Sequence, residues 1–466
     1  MLTMTFEHPV RRLSLLAAGG FAVLLLSSCA TYHSLPLAHA AARAGTPARW
    51  NALAKAASEL KHPLLKPLVI TGTGGFSPDE IAVLAVVASP DLRALRDQRG
   101  LAQAQVIQAG ILPNPQLGFS LDKPHGNSDP TLVTGRTLGL DWDVYSLLTR
   151  NNRMAAAKAA AKAVDLDVAW QEWQTAQAAR LDAFRILSIQ RQLPLARKIE
   201  HMLDDTTHIL EVAAGQHEVT DSDVAAAVDS AQRARMDRQD LERQLRLERA
   251  QLNLILGVPV GENVPLKPAP AFPAFPAEEA GLATLLHGLT SRRLDLLALK
   301  AGYASQDAAL RAEIKNQFPR FALGIHRGRD TSDIKSVGFS VSIELPLFDR
   351  NQAGVAAAEA SRRQLFDEYT ARVAQARAEV ATIAADLDAT NRQVAELRST
   401  LPSYARLASS STHAFLEHEL NAPSEHEASI QLAQHLLDLD RLDESRIELA
   451  VALETVSARP LLNRDL

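Results

Sequence analysis

Cysteine is nearly absent: Cys29 is the only one in 466 residues. One thiol excludes an intrachain disulfide and any zinc site built from several cysteines. Aromatic residues are scarce too, at 5%, few for a globular enzyme of this length but natural for long alanine-rich helices. There is no excess of positive charge. The net charge of −5 and a pI near 6.3 remove the electrostatic footprint of a nucleic-acid binder. Beyond residue 29 no apolar run is long enough for a membrane-spanning helix. Catalytic signatures are missing as well. The "GTGG" at 72–75 is not followed by the Gly-Lys-Ser/Thr of a phosphate loop. No His-Glu-x-x-His occurs, and no G-x-S-x-G elbow presents a serine. The "HRGRD" at 326–330 reads as a strand running into a loop. These absences argue against an enzyme, and nothing calls for a cofactor.

What is present begins with an export signal over residues 1–28. Arg11 and Arg12 precede the apolar run "LSLLAAGGFAVLLLSSCA", which ends in the small residues Ser27 and Ser28. Two readings of Cys29 stand: an incidental cysteine after an ordinary signal, or a lipid-bearing residue, because "LSSC" resembles a bacterial lipoprotein box. Several acyl chains would anchor the chain stably where one would not. Ala30 follows, not the Asp that usually retains a lipoprotein at the inner membrane, a resemblance that favours the outer membrane.

The mature chain is written twice. "PDLRALR" at 90–96 recurs as "LDLLALK" at 294–300, and "NPQLGFSL" recurs as "FPRFALGI". Asp91 maps to Asp295 and Pro115 to Pro319, both 204 residues apart, and Gly139 maps to Gly338, 199 apart. Shared alanine-rich composition does not explain the matching strands and prolines, so a duplication is read. The expected layout is an N-terminal segment at 29–88, a first repeat at 89–257, a proline-rich connector at 258–290, a second repeat at 291–460 and a tail at 461–466. Each repeat reads as a helix, two strands and a long helical hairpin. The strands fall near 115–123, 136–146, 319–328 and 336–348, where apolar and polar residues alternate with period two. The long helices are expected at about 151–214 and 351–415. In the second, Val373, Val380, Leu387, Val394 and Leu401 fall seven apart, with Ala376, Ile383, Thr390 and Leu397 between them. That spacing predicts coiled-coil packing. Pro194 and Pro402 predict kinks or breaks.

Each strand is long enough to cross a bilayer's hydrocarbon when tilted. A sheet facing lipid has no tolerable open edge and must close, yet four strands are too few. Several copies must pool their strands, and three would supply twelve. The fold class expected is therefore mixed and mainly α: a trimeric β-barrel of four strands per chain joined to a long helical coiled-coil barrel, internally duplicated.

"SPDLRALRDQRGLAQAQVIQAGILPNPQLGFSLD", "LNLILGVP" and "VGFSVSIELPLFDRNQAGVAAAEA" resemble the outer-membrane factor family, the TolC-like exit ducts of tripartite efflux pumps. "ELPLFDRNQAG" and "GILPNP" are most similar to the heavy-metal branch typified by CzcC. The resemblance implies a homotrimer in the outer membrane, reaching into the periplasm and working with a periplasmic adaptor and an inner-membrane resistance–nodulation–division (RND) pump. Two departures bear on the tip where an adaptor would dock. "SLLTRNNR", Ser146 to Arg153, stands where the family has a Gly-Gly-Lys-Arg-like turn, and "LEHELNAPSEHEAS" has Pro423 and no glycine. Rival readings are the same duct for drugs or for type I secretion, and a lipid-anchored periplasmic coiled-coil adaptor with no pore.

Several residues could carry function. Asp141, Asp143 and Glu344 fall on the polar faces of strands, where three copies would make rings of negative charge drawing cations; a merely wet lining reads the same way. Family resemblance puts acidic constrictions at the helical tip, for which the turns offer Glu218, Asp221, Asp223, Glu417, Glu419, Glu425 and Glu427. His217, His418 and His426 lie near them and suit transition metals chemically, as do His208, His413 and His435, but none has ligand spacing. No metal site is assigned.

Overall fold

The computed structural model describes residues 31–38, 46, 49–70, 74–126, 131–268 and 281–462. The expected signal segment 1–28 and Cys29 lie outside the described residues. The chain divides into two units, Met1–Thr46 and Pro47–Leu466. In the first, described residues 31–38 are exposed.

The second unit opens with α1 (Trp50–Ser58) and α2 (Pro78–Ala88). Then the same order occurs twice. The first pass is α3 (Pro90–Gly110), β1 (Gln116–Asp122), β2 (Gly135–Asp143), α4 (Ser146–Gly215) and α5 (Asp221–Leu256). Two short helices follow, α6 (Leu282–Leu286) and α7 (Leu289–Arg292). The second pass is α8 (Leu294–Lys315), β3 (Arg320–Arg329), β4 (Lys335–Glu344), α9 (Gln352–Leu416) and α10 (Ala422–Ser457). Among the described residues no helix is long and apolar enough to cross a membrane.

The helix ends are encoded locally. Ser77 and Glu80 make a capping box ahead of Pro78, with bonds of 2.7 and 3.1 Å. Thr220 and Asp223 make another at the start of α5. Gly257 ends α5 in the left-handed region (φ 65°), where a Cβ would strike Pro90.

The largest core gathers α2 against α4 and the end of α5. Ile81, Val83, Leu84 and Val86 are wholly buried with Trp173, Leu252 and Leu256, each such side chain worth about 1.5–3 kcal/mol relative to exposure. A second core holds Ala376, Val380 and Leu387 of the heptad seam with Leu296 and Leu453. The two repeats are cross-tied: the Trp173 indole donates to the Thr455 carbonyl at 3.2 Å, and the Arg293 guanidinium lies 5.3 Å from the Trp170 ring.

The structure corrects the sequence reading at four places. Neither Pro194 nor Pro402 breaks its helix, which runs 70 and 65 residues through them. One lost rung is small in ladders of that length, and Leu193 and Ala196 beside the first proline are buried against Leu241. Ser146–Arg153, expected to bear on the adaptor-docking tip, instead opens α4 directly after β2, at the base of the sheet. Strands β2 and β4 end at Asp143 and Glu344, short of 146 and 348, the latter before Pro346. The N-terminal segment expected at 29–88 ends in α2, a helix whose bounds the sequence pattern does not reveal.

The sheet is joined to the helices by side-chain bonds at its base. Trp142 Nε1 donates to the Pro113 carbonyl at 2.8 Å, and the Tyr145 hydroxyl donates to the Lys315 carbonyl. Asn351, left-handed at φ 57°, donates to the Glu313 carbonyl at 2.9 Å.

Candidate functional site

The four strands form one antiparallel sheet in the order β1-β2-β3-β4, so β1 and β4 are its margins. Directly opposite residues of antiparallel strands share a face. One row is Leu117, Leu140, Ile325 and Phe339; the next toward the helices is Trp142, Leu323 and Val341, and the next away from them begins Phe119, Leu138. This apolar face is open: Phe339 is 65% and Val337 81% exposed. A single chain therefore leaves a contiguous hydrophobic surface and two strand edges uncovered, a combination water does not tolerate well.

The opposite face is small and polar: Gly118, Ser120, Thr137, Gly139, Gly324, Gly328, Ser340 and Ser342. Asp141, Asp143 and Glu344 lie on it, as the alternation predicts, toward the helical end. A Cβ at Gly324 would collide with Asp141 Oδ1 and Ser340 Oγ, and one at Gly338 with the His326 ring. Glycine there leaves room for the longer side chains to lie flat across their neighbours.

At the far end of the helices the two turns are built alike. His217 and His418 both sit at positive φ, 63° and 62°, each just past a long helix. Glu218 N and Glu419 N reach back to the Ala213 and Ala414 carbonyls at 3.0 and 2.8 Å, the wrap of a helix C-terminus. Histidine thus occupies the position glycine favours. Glu218, Asp221, Asp223, Glu417, Glu419 and Glu427 are exposed in or beside these turns. Asp223 is engaged as a cap, and its bonds to Thr220 hold its carboxyl below the usual range. Glu425 is occupied too, accepting from Thr412 and Ser429 at 2.9 and 2.8 Å. His426 Nδ1 lies 2.9 Å from Thr206 Oγ1, which brings the start of α10 against α4. His413 pairs with Glu417 at 3.2 Å, and His435 stacks on Tyr404 at 3.8 Å. His208 is exposed. Among the described residues no three His, Cys, Asp or Glu side chains gather to hold a metal ion.

Sequence reasoning missed the buried charges of the helical body. Arg180 is wholly buried between Asp79, 2.6 Å away, and Glu454. Arg293 pairs with Asp295 and Glu379, both at 2.9 Å. Nearby, α4, α5 and α10 bring acids together. Burial, then the charge of Glu248, pushes the Asp182 carboxyl up to about 7 against the pull of Arg185. Burial likewise raises Glu248 and Glu444. Glu444 and Glu448 also line a groove of about 330 Å³ with Asp237, Asp240 and Arg441.

A sheet with one open apolar face, set on paired long helices written twice, is a fold shared with solved outer-membrane channels. Residues 285–458 match the family model described as outer membrane efflux protein. The chain is similar in fold to the Neisseria gonorrhoeae MtrE outer membrane channel in its open state, with TM-score 0.67 and 16% identity over 84% of this chain and 92% of that one. It is similar also to CusC (0.65, 18%, 86% and 97%) and to the Campylobacter jejuni CmeC outer membrane channel (0.65, 13%, 82% and 85%). No curated protein matches the sequence. The match to the efflux family model thus falls on the second repeat, and more than four fifths of the chain is similar in fold to these channels.

Proposed function

We propose that the chain is an outer-membrane factor that assembles as a homotrimer and forms the passive exit duct of a tripartite RND efflux system. The observation that carries this is the sheet: an exposed apolar face with both edges unpaired, above helices that satisfy their own cores. Three copies supply twelve strands, join β4 of one to β1 of the next, and turn the apolar faces to lipid and the glycine- and serine-rich faces to a lumen. The helices then extend into the periplasm, where the exposed acids of the two turns meet an adaptor fed by an inner-membrane pump. Acyl chains on Cys29 add a second hold on the outer membrane.

The cargo we infer is a heavy-metal cation. In a trimer Asp141, Asp143 and Glu344 become three rings of carboxylates in one short stretch of lumen, which favours cations over anions. The CzcC-like wording of "ELPLFDRNQAG" supports the same cargo. Transport of this kind calls for no catalytic group.

The test is oligomeric mass in detergent followed by single-channel recording of the full chain in planar bilayers. Trimers with cation-selective conductance are expected, and Asp141→Asn, Asp143→Asn, Glu344→Gln together should lower the cation-to-anion permeability ratio. A monomer without conductance would instead mean a pore-less adaptor. A deletion strain sensitised to antibiotics but not to zinc, cobalt, nickel or copper would move the cargo to organic compounds.

A further inference from the structure

The apolar face of the sheet ends in cations. Arg136 of β2 stands directly opposite Arg329 of β3, which stands opposite Lys335 of β4. All three side chains therefore share the apolar face, at the end of the strands farthest from the helices. Arg327 lies one step inward on the same face, between Leu138 and Val337. Arg136, Arg327 and Lys335 are exposed.

Like charges set directly opposite one another destabilise a sheet, and the chain does little to relieve them. Arg329 pairs with Asp333, whose field also reaches Lys335. The neighbouring Asp330 is spent on the backbone amides of Ser332 and Ile334, both at 2.9 Å. Arg136 and Arg327 have no polar partner among the described residues. Among the described residues, then, one carboxylate serves two of these four cations. Below them the apolar rows from Val337 to Ile343 run about 20 Å along the strand. A cation on a lipid-facing strand is costly at the bilayer midplane and nearly free at its interface, so the row marks an interface.

We propose that this row is a phosphate-binding girdle that holds the phosphorylated headgroups of lipids in the leaflet distal to the helices. The inference rests on the duct reading, in which that leaflet is the outer one. Arginine's planar fork takes two phosphate oxygens at once, and the spacing of the row spreads the charge across three adjacent strands of each copy.

The test uses the full-length protein in detergent, titrated with diphosphoryl lipid A, with its monophosphoryl form and with inorganic phosphate, and read by native mass spectrometry. The unsubstituted protein should bind the diphosphoryl lipid tightest. Arg136→Gln, Arg327→Gln, Lys335→Gln together should weaken it by about a hundredfold, and each single change by about fivefold, so the singles decide if the triple variant fails to assemble. Substituted proteins that conduct normally and bind the lipid unchanged overturn the girdle alone. So does equal affinity for inorganic phosphate. An unsubstituted protein that never conducts overturns the duct reading, and this inference with it.

Discussion

The helical body and the sheet solve the same problem in opposite ways. In the helices, many apolar side chains pack into buried cores and a few charges are buried with partners: Arg180 with Asp79 and Glu454, Arg293 with Asp295 and Glu379. In the sheet, Phe119, Ile325, Val337 and Phe339 point out and the small polar residues occupy the other face. A chain of one composition thus builds one region with buried cores of its own and one whose apolar face has none.

Breaking the helical side should cost most. Arg180→Leu leaves Glu454 buried without its cation and is expected to lose about 3–5 kcal/mol, seen as a lower midpoint in denaturant titration. A wild-type midpoint would mean the buried network adds nothing. On the sheet, Phe339→Arg puts a cation in the middle of the apolar rows and should cost about 2–4 kcal/mol in a bilayer, emptying the membrane-inserted fraction while leaving helical content unchanged by circular dichroism. The same substitution would be nearly silent if that face met only water.

Asp182 sharpens the contrast through pH. Burial raises its carboxyl to about 7, so between its unfolded and folded values the folded chain holds a proton that the unfolded chain has released. Stability from this group is full below about pH 4 and is lost as the pH rises through about 7. Asp182→Asn should remove that slope and gain on the order of 1–3 kcal/mol at pH 8. Melting temperatures of the two proteins from pH 4 to pH 8 should converge at the acid end; parallel curves would show the carboxyl to be solvated.

The strands and the long helices were legible in the sequence because their periods, two and seven, repeat over many residues. The glycines and Asp141, Asp143 and Glu344 fell on the expected face for the same reason. What escaped were features that depend on partners. The run "IAVLAVVA" of α2 has no polar side because every side is covered, so it shows no period. Arg180 and Glu454 lie 274 residues apart, and each alone looks like an ordinary surface charge. The cation row depends on register between strands of different repeats. His217 and His418 look like metal-site residues in one dimension, whereas the backbone shows them first as turn residues at positive φ.

The margins of the sheet carry one more consequence. Since β1 and β4 lie at opposite edges, in the proposed closed ring every copy supplies one half of each of two junctions. A defect in one margin is then met once per altered copy, and a ring with a single faulty member has a gap that its sound neighbours cannot fill. Co-expressed damaged chains should therefore poison the whole assembly out of proportion to their number.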